Sequence, residues 1–310
     1  MGTMGRVYQS LGLYAAADSL LRDALKVNER EFGPNDTSVA TTLNALADVA
    51  RARGDFPRAE QDYARALAIR VSRTGSKSLE VATTLAGLAS LRLQQGRNAE
   101  AESLSIRVLG IDSVARGPDD PQLARDLEHL ALAYWGEDRL AEAEPLMRRA
   151  LAMKQRLLGA DHPDVASTAN NLGVLYYSLG RYDDALVEYQ LTLASLEKTE
   201  GPEHPDVAEL IGNIGESYWK LGRYAEAEPA FRRSLAIEEK TLAPDHPAIA
   251  VTLNGLAGLL RDQKRYAEAE ALYRRALQIR IKSLGEKSAE AAETRKDWDE
   301  LRRREGAAKH

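Results

Sequence analysis

Apolar residues recur along this chain with the spacing of amphipathic helices, and the helices they predict come in pairs. In one clear segment four residues stand at positions i, i+3, i+4 and i+7: Ala169, Leu172, Gly173 and Tyr176. That spacing places all four on one face of a helix. A turn containing Gly180 follows, and a second apolar stripe runs from Ala185 to Leu196. The segment is therefore predicted to form a helix, a short turn and a longer helix.

The same pattern returns every 42 residues. An alanine column is unbroken: Ala17, Ala59, Ala101, Ala143, Ala185, Ala227 and Ala269. A leucine column is equally regular: Leu25, Leu67, Leu109, Leu151, Leu193, Leu235 and Leu277. Periodicity on this scale indicates a repeat protein. We predict an incomplete first repeat at residues 1–35, six full repeats at 36–287, a C-terminal capping helix at 288–305 and a tail at 306–310.

The position before each first helix is occupied by residues that can cap it. Asp, Ser or His stands there: Asp36, Ser78, Asp120, His162, His204, His246 and Ser288. A side-chain acceptor at this position satisfies a free backbone N–H of the first turn. Proline follows four of them, at the first helical position, where its missing N–H is not needed. We therefore expect these residues to be N-caps.

A small residue early in each second helix lets two helices approach closely, because the separation of helix axes depends on the side chains between them. One helix pair cannot bury its apolar stripe alone, but a stack of pairs can. We therefore predict an all-α fold, a right-handed α-solenoid of stacked helix-turn-helix repeats.

Several motifs resemble a known family. Leu172-Gly173, Tyr176, Leu179-Gly180-Arg181-Tyr182, Ala185 and Tyr189 look like the tetratricopeptide repeat signature. The 42-residue period and the loop at Gly159 to Ala166, nearly copied at Gly201 to Ala208, resemble the kinesin-light-chain type of this repeat, which is also common in bacterial proteins. The resemblance covers essentially the whole chain. It implies that the first helices line a concave surface, the usual binding site of such solenoids.

The residues expected to face that surface form a candidate peptide-binding set. They are Asn44, Arg51, His129, Trp135, Asn170, Asn171, Tyr177, Asn213, Trp219, Asn254 and Arg261. Trp135, Tyr177 and Trp219 share one column and would form an aromatic ladder, because large rings dominate many binding hot spots. The asparagines would pair with the backbone of an extended peptide, since amides both donate and accept. The alternatives are that the rings pack on neighbouring helices and that the amides bond across repeats.

The charge of this surface bears on the partner. Arg51 and Arg261 are offset by carboxylates at Asp48, Glu216 and Asp262. We therefore expect a mixed-polarity extended segment with one or two apolar anchors, and not a strongly acidic one. The resemblance implies a further exclusion, because the carboxylate clamp of chaperone-binding tetratricopeptide domains is absent. Its columns here hold Asn170, Val174, Glu209 and Asn213.

Composition excludes several function classes. The 310 residues contain no cysteine and carry a net charge of −5, which rules out thiolate chemistry and argues against a basic nucleic-acid surface. No apolar stretch approaches the roughly 20 residues needed to span a membrane. The lack of cysteine favours a reducing, cytoplasmic setting. No phosphate-binding glycine loop, zinc helix or nucleophile elbow is recognisable in the sequence, so we predict no catalytic activity and no cofactor.

The three histidines at 42-residue spacing are the only pattern that resembles a metal site. Zinc needs ligands about 2 Å from one ion, whereas equivalent residues of successive repeats lie two helix layers apart. We therefore predict that His162, His204 and His246 cap helices and bind no metal.

The first functional hypothesis is a non-enzymatic protein–protein interaction scaffold that binds an extended peptide or partner segment. The alternative is a C-terminal regulatory or sensory repeat segment of a larger signalling enzyme, such as a protein kinase or a caspase-like protease, as bacterial relatives of this repeat type imply. The start of the sequence at Met1, in mid-repeat, motivates it. A third hypothesis is self-association through the incomplete first repeat, where Met4, Tyr8 and Leu11 would expose apolar surface.

Overall fold

The computed structural model describes residues 13–308, which form fourteen helices and no strand. We call the first helix of each repeat an A helix and the second a B helix. The A helices are α2 (Thr37–Ala52), α4 (Leu79–Gln94), α6 (Pro121–Gly136), α8 (Pro163–Ser178), α10 (Pro205–Lys220), α12 (Pro247–Asp262) and α14 (Ala289–Ala308). The B helices are α1 (Tyr14–Phe32), α3 (Phe56–Thr74), α5 (Asn98–Ala115), α7 (Leu140–Leu158), α9 (Tyr182–Thr199), α11 (Tyr224–Thr241) and α13 (Tyr266–Leu284).

The helices form two compact units, one ending at Leu157 and the other beginning at Leu158. In each unit, B helices pack against the A helix before and the A helix after them, and successive A helices also touch, as α2 and α4 do in the first unit and α10 and α12 in the second. The predicted fold class, an all-α solenoid of stacked helix-turn-helix repeats, is confirmed.

The alanine column lies in the core, as its steric role requires. All seven alanines are 0 % exposed: Ala17, Ala59, Ala101, Ala143, Ala185, Ala227 and Ala269. Larger apolar side chains of the neighbouring helices surround them. Ala227, for example, shares a cluster with Phe231, Leu256 and Leu260. A methyl group at this column is what lets the A and B helices approach.

The turn between an A helix and its B helix uses left-handed backbone. Gly180 has a φ of 72° and Gly222 a φ of 73°, a region that glycine enters without steric cost. In two repeats the same position holds Asp138 and Lys264, with φ of 61° and 64°. A side chain in this conformation costs roughly 1–2 kcal/mol, so these two turns are less favourable than the glycine turns.

The predicted N-caps are present. The carboxylate of Asp36 accepts a hydrogen bond from the amide of Ser38 at 2.8 Å, and Asp120 accepts from Gln122 at 2.7 Å. Ser78 and Ser288 cap α4 and α14 in the same way. The three histidines cap through the imidazole. Nδ1 of His162 accepts from the amide of Asp164 at 3.1 Å, and equivalent bonds of 3.3 Å join His204 to Asp206 and His246 to Ala248.

The imidazole cap can be tested at α10. His204→Ala removes the acceptor of the Asp206 amide, so we expect the free energy of unfolding to fall by about 0.5–2 kcal/mol. His204→Asp retains an acceptor and should lose much less. Urea unfolding followed by circular dichroism measures both variants. An equal loss in the two would show that the cap is not what His204 contributes.

A buried polar contact joins several B helices to the next A helix, fourteen residues further along the chain. The bonded pairs are Asn28–Thr42 at 3.0 Å, Arg70–Thr84 at 2.6 Å, Glu238–Thr252 at 3.0 Å and Arg280–Thr294 at 2.8 Å. All the B-helix members occupy one column, and all the threonines occupy another. Sequence reasoning did not identify this inter-repeat contact.

Two repeats fill the same pair of columns differently. Leu196 and Leu210 replace the polar pair with an apolar one and line one cavity together. Asp112 and Asp126 place two carboxyl groups in contact, each only 1 % exposed. Burial, reinforced by the neighbouring charge of Asp112, raises the pKa of Asp126 well above its ordinary value, and the amide of Gln122 opposes the shift only in part.

The acid pair should make the first unit sensitive to pH. The folded chain holds the Asp126 proton to a higher pH than the unfolded chain, whose pKa is near 3.8. The free energy of unfolding therefore falls as the pH rises from the pKa of Asp126 in the unfolded chain to its higher pKa in the folded chain. Asp126→Asn removes this titration. We expect the variant to be more stable than the natural chain by about 1–3 kcal/mol near pH 8, with the difference shrinking toward pH 4.

Denaturant unfolding across that pH range measures the effect. Asp23→Asn is the matched control, because Asp23 is exposed and pairs with Lys26 at 3.2 Å on its own helix. A pH-independent difference between Asp126→Asn and the natural chain would contradict the assignment.

The last helix carries polar residues on its outer face. Leu301 is buried, Trp298 packs against the α12–α13 core, and the Arg302 guanidinium lies 4.5 Å from the Trp298 ring centre. Asp299 and Arg302 are exposed. The helix continues through Ala308 instead of ending at residue 305, so the sequence placed its end too early. The predicted apolar surface at Met4, Tyr8 and Leu11 lies outside the described residues.

Candidate functional site

Three adjoining cavities follow the A helices of the second unit, and we call them together the second-unit groove. The α8–α10 cavity has a volume of about 290 Å³, the α10–α12 cavity about 230 Å³ and the α12–α14 cavity about 680 Å³. Glu209 lines the first two, and Glu216, Val251 and Gly255 line the last two. The cavities are therefore neighbours along one face of the stack, which makes this face the candidate site.

Successive repeats each place one predicted asparagine in this groove. Asn170 lines the α8–α10 cavity, Asn213 the α10–α12 cavity and Asn254 the α12–α14 cavity. The amide nitrogen of Asn254 donates to Asp297 at 3.0 Å, while its oxygen is buried and has no partner in the part of the chain that the structure describes. Asn171, also in the predicted set, is half-buried and interacts within the protein. Asn170, Asn213 and Asn254 thus line the groove, and Asn254 also forms a hydrogen bond to the following A helix.

The two second-unit aromatics of the predicted ladder are half-buried and hydrogen-bonded to the next A helix. The Tyr177 hydroxyl donates to Glu216 at 2.6 Å, and its ring meets the Tyr182 ring edge-on at 5.2 Å. Burial and the Glu216 charge raise the pKa of Tyr177 far above its ordinary value. The indole Nε1–H of Trp219 donates to Asp262 at 3.0 Å. Both side chains therefore connect one A helix to the next by a hydrogen bond. Trp219 also lines the α12–α14 cavity.

In the first unit the predicted set takes part in internal contacts. Asn44 is only 8 % exposed, donates to Asp48 at 3.2 Å and accepts from Arg70 at 3.4 Å, so its amide is occupied within the protein. The Tyr63 hydroxyl donates to the same Asp48 carboxylate, whose pKa is raised by burial. The Arg51 guanidinium opposes that shift.

His129 and Trp135, on α6, are both partly exposed. Burial lowers the pKa of His129, and the positive charges of Arg51 and Lys154 act in the same direction. A neutral imidazole can donate one hydrogen bond and accept another but adds no charge to the surface. None of the predicted first-unit residues lines the second-unit groove.

The charge of the groove differs from one cavity to the next. The α12–α14 cavity is mixed, with Lys220, Arg261 and Arg280 beside Asp262 and Asp297. The α10–α12 cavity is lined by the carboxylates of Glu209, Glu216 and Glu238, and none of its lining residues is basic.

Sequence reasoning missed Glu238 because it lies on a B helix. The signal was present, since the column that contains it holds a charged or polar residue in most repeats. That column reads Asn28, Arg70, Asp112, Lys154, Leu196, Glu238 and Arg280.

Residues 13–308 contain no group of three or more His, Asp or Glu side chains arranged to hold a metal ion. Among the fourteen helices, none combines the length and apolarity that crossing a bilayer would require.

The tetratricopeptide repeat family model matches the chain at residues 1–70, 80–156, 127–198, 164–240, 206–282 and 248–297. These matches cover nearly all of the sequence, and the chain belongs to this family. A TPR repeat-containing protein of Dictyostelium discoideum is 39 % identical over 70 residues. That match spans 23 % of this chain and only 4 % of the length of the curated relative.

Solved structures show the same architecture. BtubC (BKLC) from P. vanneervenii is 27 % identical with a TM-score of 0.62, covering 73 % of this chain and 90 % of that one. A putative kinesin light chain from Podospora anserina with nearly identical TPR-like repeats is 24 % identical with a TM-score of 0.58, covering 65 % and 95 %. Kinesin-light-chain-like repeat proteins are thus among the structural neighbours of this chain, in line with the resemblance in period and loop motif.

A more distant match extends further along the chain. A STAND signal transduction ATPase with a tetratricopeptide repeat sensor, from Pyrococcus horikoshii, is 16 % identical with a TM-score of 0.70. It covers 90 % of this chain and 41 % of that protein. At this identity the similarity is one of fold.

The position of Trp219 depends on a glycine of the next A helix. A Cβ atom at Gly258 would come within 2.3 Å of the Trp219 ring. Gly258→Ala should therefore displace the indole, break its bond to Asp262 and lower the free energy of unfolding by about 1–3 kcal/mol.

A matched substitution is available in α5, where a Cβ at Gly110 meets nothing within 4 Å. Gly110→Ala should stabilise the chain by about 0.5–1 kcal/mol, because alanine favours the helix. Chemical unfolding of both variants, with near-ultraviolet circular dichroism for the indole environment, compares them. The packing of Trp219 on Gly258 would be refuted if both substitutions shifted stability upward.

Proposed function

We propose that this protein is a non-enzymatic scaffold that holds an extended segment of a partner protein along the second-unit groove. Membership of the tetratricopeptide repeat family supports a protein-interaction role. The location of the binding surface is supported by three adjoining cavities, each lined by one asparagine from a successive repeat. Amides contributed by successive repeats suit an extended backbone, which offers one donor and one acceptor per residue.

The chemistry of the groove defines the kind of segment. The half-buried Trp219 ring contributes apolar area to the α12–α14 cavity, and Arg261 adds positive charge beside the Asp262 carboxylate. A segment of mixed polarity with an apolar anchor fits this lining better than a strongly acidic one. No nucleic acid or membrane is part of the proposal.

Affinity capture from a cell extract, followed by mass spectrometry and titration of the captured segment, tests the function. Asn170→Ala combined with Asn213→Ala should weaken binding about tenfold or more, because interface side chains near the centre of a groove carry much of the affinity. Trp219→Ala combined with Asn254→Ala tests the α12–α14 cavity, which both side chains line.

The control is Gln278→Ala, because Gln278 is exposed on the B helix α13. Circular dichroism must show that each variant is folded. If the affinity stayed unchanged in both double variants, the groove would not be the binding surface.

Two other hypotheses do not involve this groove. A regulatory segment of a larger signalling enzyme, and self-association through Met4, Tyr8 and Leu11, both stay predictions.

A further inference from the structure

The α10–α12 cavity contains a buried acid with an unused acceptor. Glu238 rises from α11 into the cavity and is only 3 % exposed. Its Oε1 atom accepts a hydrogen bond from the Thr252 hydroxyl at 3.0 Å, and its Oε2 atom has no partner among residues 13–308. A buried carboxylate oxygen without a donor is unfavourable, so its presence at a cavity wall indicates a site for a donor that comes from outside.

In two other repeats, the residue in the same column as Glu238 has a side-chain partner on the preceding A helix. In the first unit, Arg70 donates to Asn44 of the preceding A helix at 3.4 Å, and Lys154 donates to Glu128 at 2.6 Å. Glu238 occupies the same column as Arg70 and Lys154, and the position equivalent to Asn44 and Glu128 is Gly212. With no side chain at Gly212, that part of the wall stays open, and the space becomes the cavity.

Gly212 is not required by the backbone. It lies within α10, and an added Cβ would meet only the Ser234 hydroxyl at 3.4 Å and the Thr252 hydroxyl at 4.0 Å, both ordinary contacts. The opening beside Glu238 is therefore a feature that a side chain could fill without disturbing the helix.

The surroundings favour a positive charge. Glu209 and Glu216 of α10 line the same cavity, with Glu209 exposed at its edge and Glu216 held by the Tyr177 hydroxyl. On α11 the neighbouring Glu239 is paired with Arg275 outside the lining. α12 contributes Ala248, Val251, Thr252 and Gly255, none of them charged. The cavity thus presents three carboxyl groups over an apolar floor that includes Phe231.

We propose that the α10–α12 cavity receives a lysine or arginine side chain of the bound protein segment, with Glu238 Oε2 as its buried counter-ion. This inference rests on the proposed function, because the cation belongs to the segment held in the groove. The apolar floor suits the methylene stem of such a side chain, while the charged end reaches the carboxylates. The inference defines one position of the partner by its chemistry.

Binding should be coupled to proton release. Burial, together with the charges of Glu209 and Glu239, raises the pKa of Glu238 to about 7. A cation beside Oε2 stabilises the ionised form and lowers that pKa, so the complex holds fewer protons than the free protein near neutral pH. The affinity for a basic side chain therefore rises as the pH increases from about 6 to 8.

The first experiment tests the cavity without relying on a partner. The carboxyl carbon resonance of Glu238, assigned by its absence in Glu238→Gln, is titrated with pH in the isotope-labelled full chain. The probe is Nα-acetyl-lysine N-methylamide, and Nα-acetyl-norleucine N-methylamide is the uncharged control. The lysine amide should lower the apparent pKa of Glu238, whereas the norleucine amide should not. The inference would be overturned if the lysine amide left the apparent pKa of Glu238 unchanged up to its solubility limit, or if both amides shifted that pKa equally.

The second experiment uses a randomised library of extended peptides. The natural chain should enrich Lys or Arg at one position about tenfold or more over norleucine. Glu238→Gln and Gly212→Asn should abolish that enrichment, the first by removing the charge and the second by filling the opening. Glu226→Gln is the matched control, because Glu226 is an exposed residue of the same helix and does not line the cavity.

The possible outcomes separate the two proposals. Peptides captured without a basic preference, or a basic preference that survives in both Glu238→Gln and Gly212→Asn, would overturn this inference and leave the scaffold function in place. If no peptide is captured at all, the scaffold function in this groove fails, and the lysine amide titration alone decides whether the cavity takes a cation.

Discussion

The structure depends on the packing of each helix pair against the next, because no pair can bury its own apolar stripe alone. The fully buried alanine column makes this packing possible by keeping side-chain bulk out of the line where A and B helices meet. Groove side chains are consequently placed by their neighbours as much as by their own helix. Trp219, for example, is held by Gly258 and Asp262 of the following repeat.

Local signals explain why so much of the fold could be predicted from the sequence. A cap such as Asp36 or His204, a proline after it and a glycine such as Gly222 at the turn each act within a few residues, and they repeat in register. The end of α14 was placed too early because a single glycine near a helix terminus, here Gly306, does not stop the helix when nothing else ends it.

The candidate site was less predictable because it depends on contacts between helices. Asn170, Asn213 and Asn254 were expected to face the groove and do line its cavities, since the A-helix periodicity alone sets their direction. Asn44 has the same periodicity but is occupied by Arg70, which reaches it from a B helix. Glu238 was not predicted, because it lines a cavity only where the facing residue, Gly212, has no side chain.

The residue pairs that join B helices to the following A helices differ between several junctions, although α3–α4 and α13–α14 share an arginine–threonine pair. An arginine meets a threonine at α3–α4, two acids meet at α5–α6, and two leucines line the same space at α9–α10. The alanine and leucine columns are the same in every repeat, so they do not distinguish one junction from another. A slipped arrangement would bring Arg70 against a leucine or leave Glu238 facing an acid. The pairs at α5–α6 and α9–α10 would therefore disfavour the stacking of one repeat in the place of another.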